Sequence, residues 1–120
     1  MTIQTKLISL GMWGEIADQV CLGDVTTGLT AAGTTQADAL AITADANIFG
    51  TVASGTGAVL AIPSAARVIV RNGGANALLV YAPVGGTMNG TSNGSLSIAT
   101  TKNALFVSTD GVNWYSILSA

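Results

Sequence analysis

Apolar and polar side chains alternate most cleanly in the second half of the chain. Residues 66–71, Ala-Arg-Val-Ile-Val-Arg, are rich in β-branched side chains, and a period of two sets Arg67 and Arg71 on the face opposite Val68 and Val70. That pattern predicts a strand with one polar face. Asn72-Gly73-Gly74 is a turn signal, after which residues 77–81 resume extended character and stop short of Pro83, so the two runs predict a hairpin. Residues 85–94 hold four glycines and two asparagines with no apolar period, and predict a loop. Alternation returns at Ser95-Leu96-Ser97-Ile98, and two more runs follow at residues 104–107 and 112–118. Between those two stands Asp110-Gly111, a strong hairpin signal because Gly accepts the positive φ of a type I′ turn. On the last run Trp114 and Tyr115 are adjacent and must face opposite ways, one into the core and the other toward an interface or ligand.

Residues 39–42, 45–53 and 58–62 also predict strands, with Gly55-Thr56-Gly57 punctuating the last two. Short strands with turns every 8–12 residues or so predict an all-β fold, an antiparallel β-sandwich or open barrel of about seven strands. The first 33 residues differ in kind. They include Trp13, Ile16, Val20 and Leu22 but follow neither a period of 2 nor one of 3.6, and five glycines interrupt them. An apolar but irregular segment needs a surface to lie on, either a neighbouring molecule or its own domain. The division expected is an N-terminal arm at 1–30 and a β-sandwich domain at 31–120.

Composition sharpens that picture. The 120 residues suffice for one core but not two. Only 8% are charged while 49% are hydrophobic; ordinary domains carry about 25% charged residues. Thr, Ser, Asn, Gly and Ala must therefore cover the surface, and such a surface packs readily against another protein. With a net charge of −2, the chain fits an obligate oligomer better than a free monomer. The charge is also uneven. Glu15, Asp18, Asp24, Asp38 and Asp45 face Lys6 alone, whereas beyond residue 45 Arg67, Arg71 and Lys102 face Asp110 alone. An acidic first part and a basic body attract each other within a chain or between chains; scattered charges with no such role are the other reading. Arg67 and Arg71 are candidate partners for an acidic residue of a neighbouring subunit.

Candidate chemistry is sparse. The chain has no His, which removes Ser-His-Asp and Cys-His schemes and His-based zinc sites. Cys21 is the only cysteine, so no disulfide forms within the chain, and it reads as a small buried hydrophobe. The aspartates show no spacing that recommends a carboxylate pair, and read as turn residues. The glycine-rich segment 85–94 lacks the Gly-Lys-Ser/Thr ending of a phosphate loop, and no calcium-loop spacing is present. We therefore expect no enzyme, no metal and no cofactor. Four basic residues in total argue against nucleic acid. No apolar run reaches the roughly 18 residues of a membrane span. Lys6 with the apolar run after it lacks a prompt small-residue cleavage site, so the N-terminus is expected to be retained.

Residues 32–40, 52–60 and 66–83, continued through Met88-Asn89-Gly90 and Asp110-Gly111-Val112-Asn113-Trp114-Tyr115, resemble a β module of small tailed-bacteriophage virion proteins. The resemblance is one of pattern and covers about residues 30–120. It implies a capsid cement or decoration protein on the capsid surface of the virion, a homotrimer or similar cluster that clamps the major capsid protein. On that expectation Trp13, Ile16 and Val20 are the anchors, supported by Arg67 and Arg71. The rival expectations are a tail-fibre, spike or head-fibre component that binds a host glycan, and a carbohydrate-binding module. A glycan binder exposes aromatics, whereas a cement protein buries them between chains.

Overall fold

The computed structural model describes residues 23–120. They form an all-β body of eleven strands in two sheets. In chain order these are β1 (Val25–Thr30), β2 (Leu40–Ile42), β3 (Ala46–Thr51), β4 (Gly57–Leu60), β5 (Ala66–Asn72) and β6 (Leu78–Tyr81). The remainder are β7 (Thr87–Met88), β8 (Thr91–Ser92), β9 (Ser95–Ile98), β10 (Asn103–Ser108) and β11 (Asn113–Leu118). Sheet A has the order β1-β3-β5-β10-β11-β7-β8, and sheet B the order β2-β4-β6-β9.

The sheets are mixed, which corrects the expectation of an antiparallel sandwich or barrel. From β1 to β6 the chain alternates between sheets, so odd strands stack in parallel in sheet A and even strands in parallel in sheet B. Each circuit is one coil of a solenoid-like arrangement. The antiparallel pairings come from later elements: β9 on β6, β10 on β5 and β11 on β10, with β7–β8 a small hairpin of its own. Residues 25–30, which the sequence pattern assigned to the arm, are the edge strand of sheet A.

The predicted hairpin of β5 and β6 does not exist, because the two strands lie in different sheets. Val68 and Val70 of β5 and Leu78 and Val80 of β6 are all fully buried, and they line the core from opposite sides. Both strands already have neighbours on each edge, so no free edge remains for a mutual ladder. The crossing is held by Asn72, itself fully buried. Its amide donates to the carbonyls of Asn76 and Ile98, both at 2.8 Å, and its carbonyl oxygen accepts the Gly74 N–H at 2.9 Å. A turn signal was present, but it turns the chain across the core instead of back along the sheet.

Between the sheets, Phe49, Leu60, Leu78, Ile98, Phe106 and Trp114 are completely enclosed. Burying each such side chain contributes about 1.5–3 kcal/mol, and this core holds the body together. Rows run across the sheets in register: Leu40, Ala58, Val80 and Leu96 in sheet B, and Ser108, Trp114 and Met88 in sheet A. The short 3₁₀ turn Gln36–Asp38 is tied to the end of β6 by Gln36 Nε2 donating to the Ala82 carbonyl at 2.6 Å.

Two turns behave differently from their sequence signals. Asp110-Gly111 does close a hairpin, β10 to β11. Gly111 alone takes positive φ there (+79°), so the connection is a longer loop than a two-residue type I′ turn. That geometry instead occurs inside the segment expected to be a loop. Thr87 pairs with Ser92 and Met88 with Thr91 around Asn89 (φ +52°) and Gly90 (φ +86°), which is a type I′ hairpin.

Candidate partner-binding face

The side of sheet A that faces away from the core carries an apolar row in register across five strands. Val25 pairs with Ala46, Ala46 with Ile69, Ile69 with Leu105, and Leu105 with Ile117. Strand alternation puts Ala46, Ile69 and Leu105 on the solvent side, because their neighbours Asn47, Val68, Val70, Ala104 and Phe106 are buried, and Val25 and Ile117 share that side as their directly paired partners. Val25 is 53% exposed, Ile69 49% and Ile117 69%. At about 4.8 Å per strand, the row crosses roughly 19 Å. Isolated apolar side chains on a surface need no explanation, but an in-register band does.

On the β5, β10 and β11 side the row opens into a shallow depression of about 280 Å³ floored by Ile69, Leu105, Ile117 and Leu118. Parallel rows flank it. One is Arg67, Val107 and Tyr115, with Tyr115 57% exposed; the other is Ile48, Arg71 and Asn103. The face is thus an apolar band edged by two arginines and a tyrosine.

Arg67 and Arg71 fall where alternation placed them, on the face opposite Val68 and Val70. Their situations differ. Arg71 is half-buried, and its Nη1 donates to Asn103 Oδ1 at 3.0 Å and to the Thr101 carbonyl at 3.3 Å, which fixes the guanidinium beside the band. Arg67 is exposed. Trp13, Ile16 and Val20, like Cys21, lie outside the described residues.

Ile69 interrupts the polar face that the sequence pattern predicts for β5: it stands between the two arginines, and the same period of two that places them places it. Leu105, Tyr115 and Ile117 had the same signal in their own strands. What one strand at a time cannot show is that these positions align.

Asp38, Asp45 and Asp110 are occupied with backbone. Asp110 accepts from the N–H groups of Val112 (2.8 Å) and Asn113 (2.9 Å), from Asn113 Nδ2 (2.9 Å) and from the Ser108 hydroxyl (3.1 Å). These donors, the Asn113 N–H foremost, stabilise the carboxylate and lower its pKa to about 2. Asp38 accepts the N–H groups of Thr34 and Thr35 and the Thr35 hydroxyl, and the Thr35 hydroxyl above all lowers its pKa. Asp45 Oδ2 accepts the Asp24 N–H at 3.0 Å and so fastens the start of β1 to the start of β3. Among the described residues no three His, Cys, Asp or Glu side chains gather as a metal site would require, and no helix is long and apolar enough to cross a membrane.

Comparison with protein-family models, curated proteins and solved structures finds no match to this chain.

Proposed function

We propose that this chain is a structural protein of a tailed-phage virion, a capsid cement protein that docks on the assembled major-capsid shell as a homo-oligomer and performs no catalysis. The observation that carries the reading is the five-strand apolar row on the outer side of sheet A. A band of this kind, edged by Arg67, Arg71 and Tyr115, has the make-up of an interface centre: apolar in the middle, with arginine and an aromatic at its margin. The low charge of the chain and its resemblance in pattern to virion β modules support the same reading. A shell stressed from within gains stability from each added interface, and stable interfaces bury about 1,200–2,000 Å² in total. Trp13, Ile16 and Val20 supply further apolar anchors in this reading.

A second reading, a fibre or spike component or a carbohydrate-binding module, is favoured by the exposed Tyr115, which offers an aromatic face for a sugar to stack on. Sedimentation of the full chain with assembled capsid shells stripped of accessory proteins separates the two. Saturable co-sedimentation that is lost in Ile69→Lys supports the cement reading. A chain left in the supernatant at every ratio overturns it, as does glycan-column retention that Tyr115→Ala abolishes while shells are ignored.

A further inference from the structure

We infer that the apolar row of one copy receives residues 7–20 of a second copy, so that exchanged N-terminal arms build the homo-oligomer. The inference rests on the assembly reading above and deepens it: the row and the arm anchors form the contacts between copies, and the shell meets the assembled oligomer.

Three observations point to this occupant. The first is where the described chain starts. Asp24 is pinned to Asp45 at the edge-strand end of the row, with Val25 as its first member, so 22 residues precede a segment that begins at this face. Residues 7–20 include Leu7, Ile8, Leu10, Trp13, Ile16 and Val20. At up to about 3.3 Å per residue, fourteen residues span far more than the roughly 19 Å width of the row.

The second is charge. The arm segment carries Glu15 and Asp18 and no cation after Lys6, and the band is edged by Arg67 and Arg71. Acidic groups flanking apolar anchors match a band flanked by arginines, and pairs at a rim set register and orientation. This gives the exposed Arg67 a partner.

The third separates a neighbour's arm from the chain's own. The depression floored by Ile69, Leu105, Ile117 and Leu118 lies on β5, β10 and β11, at the far end of the row from β1, where the chain itself enters. A neighbour's arm enters the depression directly, without first crossing the row from its β1 end. Two bare faces pressed together also bury little. The row is about 19 Å across and its strands, six or seven residues long, run about 20 Å, a face of roughly 400 Å² that falls short of the roughly 800 Å² per partner of a standard interface, and an arm from each copy adds the missing area.

The test uses the full chain with Cys21→Ser, which removes the only native thiol. Isotope-labelled chains carrying Ile16→Cys are mixed with unlabelled chains carrying Ile117→Cys, treated with a short flexible bis-maleimide, and analysed by mass spectrometry. A labelled-to-unlabelled 16–117 link is expected, together with chain-to-chain links in the double variant. A 16–117 link confined within single chains of the double variant overturns the inference, and so does a 117–117 link without any 16–117 link. As a second readout, Arg67→Glu is expected to weaken oligomerisation at least tenfold at low salt, with Asp18→Arg restoring it; an unchanged oligomer overturns the charge match. These readouts need no shells, so an oligomer that forms this way but ignores shells refutes the cement reading alone.

Discussion

The indole Nε1 of Trp114 donates to the carbonyl of Gly111 at 3.2 Å, so the bulkiest core side chain is fastened to the loop that delivers its strand. Gly111 in turn donates its N–H to Ser108 Oγ at 2.8 Å, and that hydroxyl donates to Asp110. Loop and core are therefore one unit, and perturbing either is felt in the other.

The clearest pH effect follows from Asp110. Its carboxylate has a pKa of about 2 in the folded chain against an ordinary 3.8, so the folded state binds its proton later than the unfolded state does. The stability this contributes is complete above about pH 4 and is lost as pH falls through about 2. Acid unfolding of the parent is expected to steepen in that window. Asp110→Asn, followed by circular dichroism from pH 5 to 2, should flatten the dependence; identical profiles would refute the assignment.

Gly111→Ala and Gly90→Ala make an informative pair. Both glycines have positive φ, which costs an L-residue about 1–2 kcal/mol. Nothing surrounds an added Cβ at Gly90, but at Gly111 it would collide with the backbone of Pro63 and Ser64. Denaturant titration should show a loss of about 1–2 kcal/mol for Gly90→Ala and a clearly larger one for Gly111→Ala.

Trp114→Ala empties the centre of sheet A's inner side. A fully buried aromatic of this size costs about 3–5 kcal/mol to truncate. Tyr115→Ala, one residue along on the outer face, is expected to cost under about 1 kcal/mol. Similar losses for both would contradict the facing.

Asn72→Leu tests the crossing between sheets. The substitution removes both donors to the Asn76 and Ile98 carbonyls and the acceptor of the Gly74 N–H. Buried groups left without partners cost about 1–3 kcal/mol each. Thermal unfolding should show a loss of at least about 2 kcal/mol, despite the gain in apolar volume.

Ile69→Lys and Ile117→Lys address the apolar row. Ile69 is about half exposed and Ile117 more so, so the monomer fold should be kept within about 0.5 kcal/mol. Light scattering should show a smaller oligomer for each.

Much of this protein was legible in its sequence because strand periodicity is local. A period of two fixed which residues of β5, β10 and β11 point inward, and Arg67, Arg71, Trp114 and Tyr115 all face as that period requires. The Asp110-Gly111 hairpin was legible for the same reason, since a turn depends on a few adjacent residues. The Asn89-Gly90 turn carried an equally local signal, submerged among the glycines of residues 85–94.

Pairing is another matter. Nothing local tells Asn72-Gly73-Gly74 whether to return the chain along its own sheet or send it across the core. That depended on β3 and β10 already occupying both edges of β5, and on carbonyls of Asn76 and Ile98 lying within reach of a buried Asn72 amide. The parallel coils follow from the same long-range competition for edges. So does the candidate face: Val25, Ala46, Ile69, Leu105 and Ile117 are separated by up to 92 residues in sequence and become one apolar band only through the register of five strands. Sequence determined the facing of each side chain, because facing is set by the backbone's own alternation. Tertiary structure alone decided which faces met, because register is set by strands remote from one another along the chain.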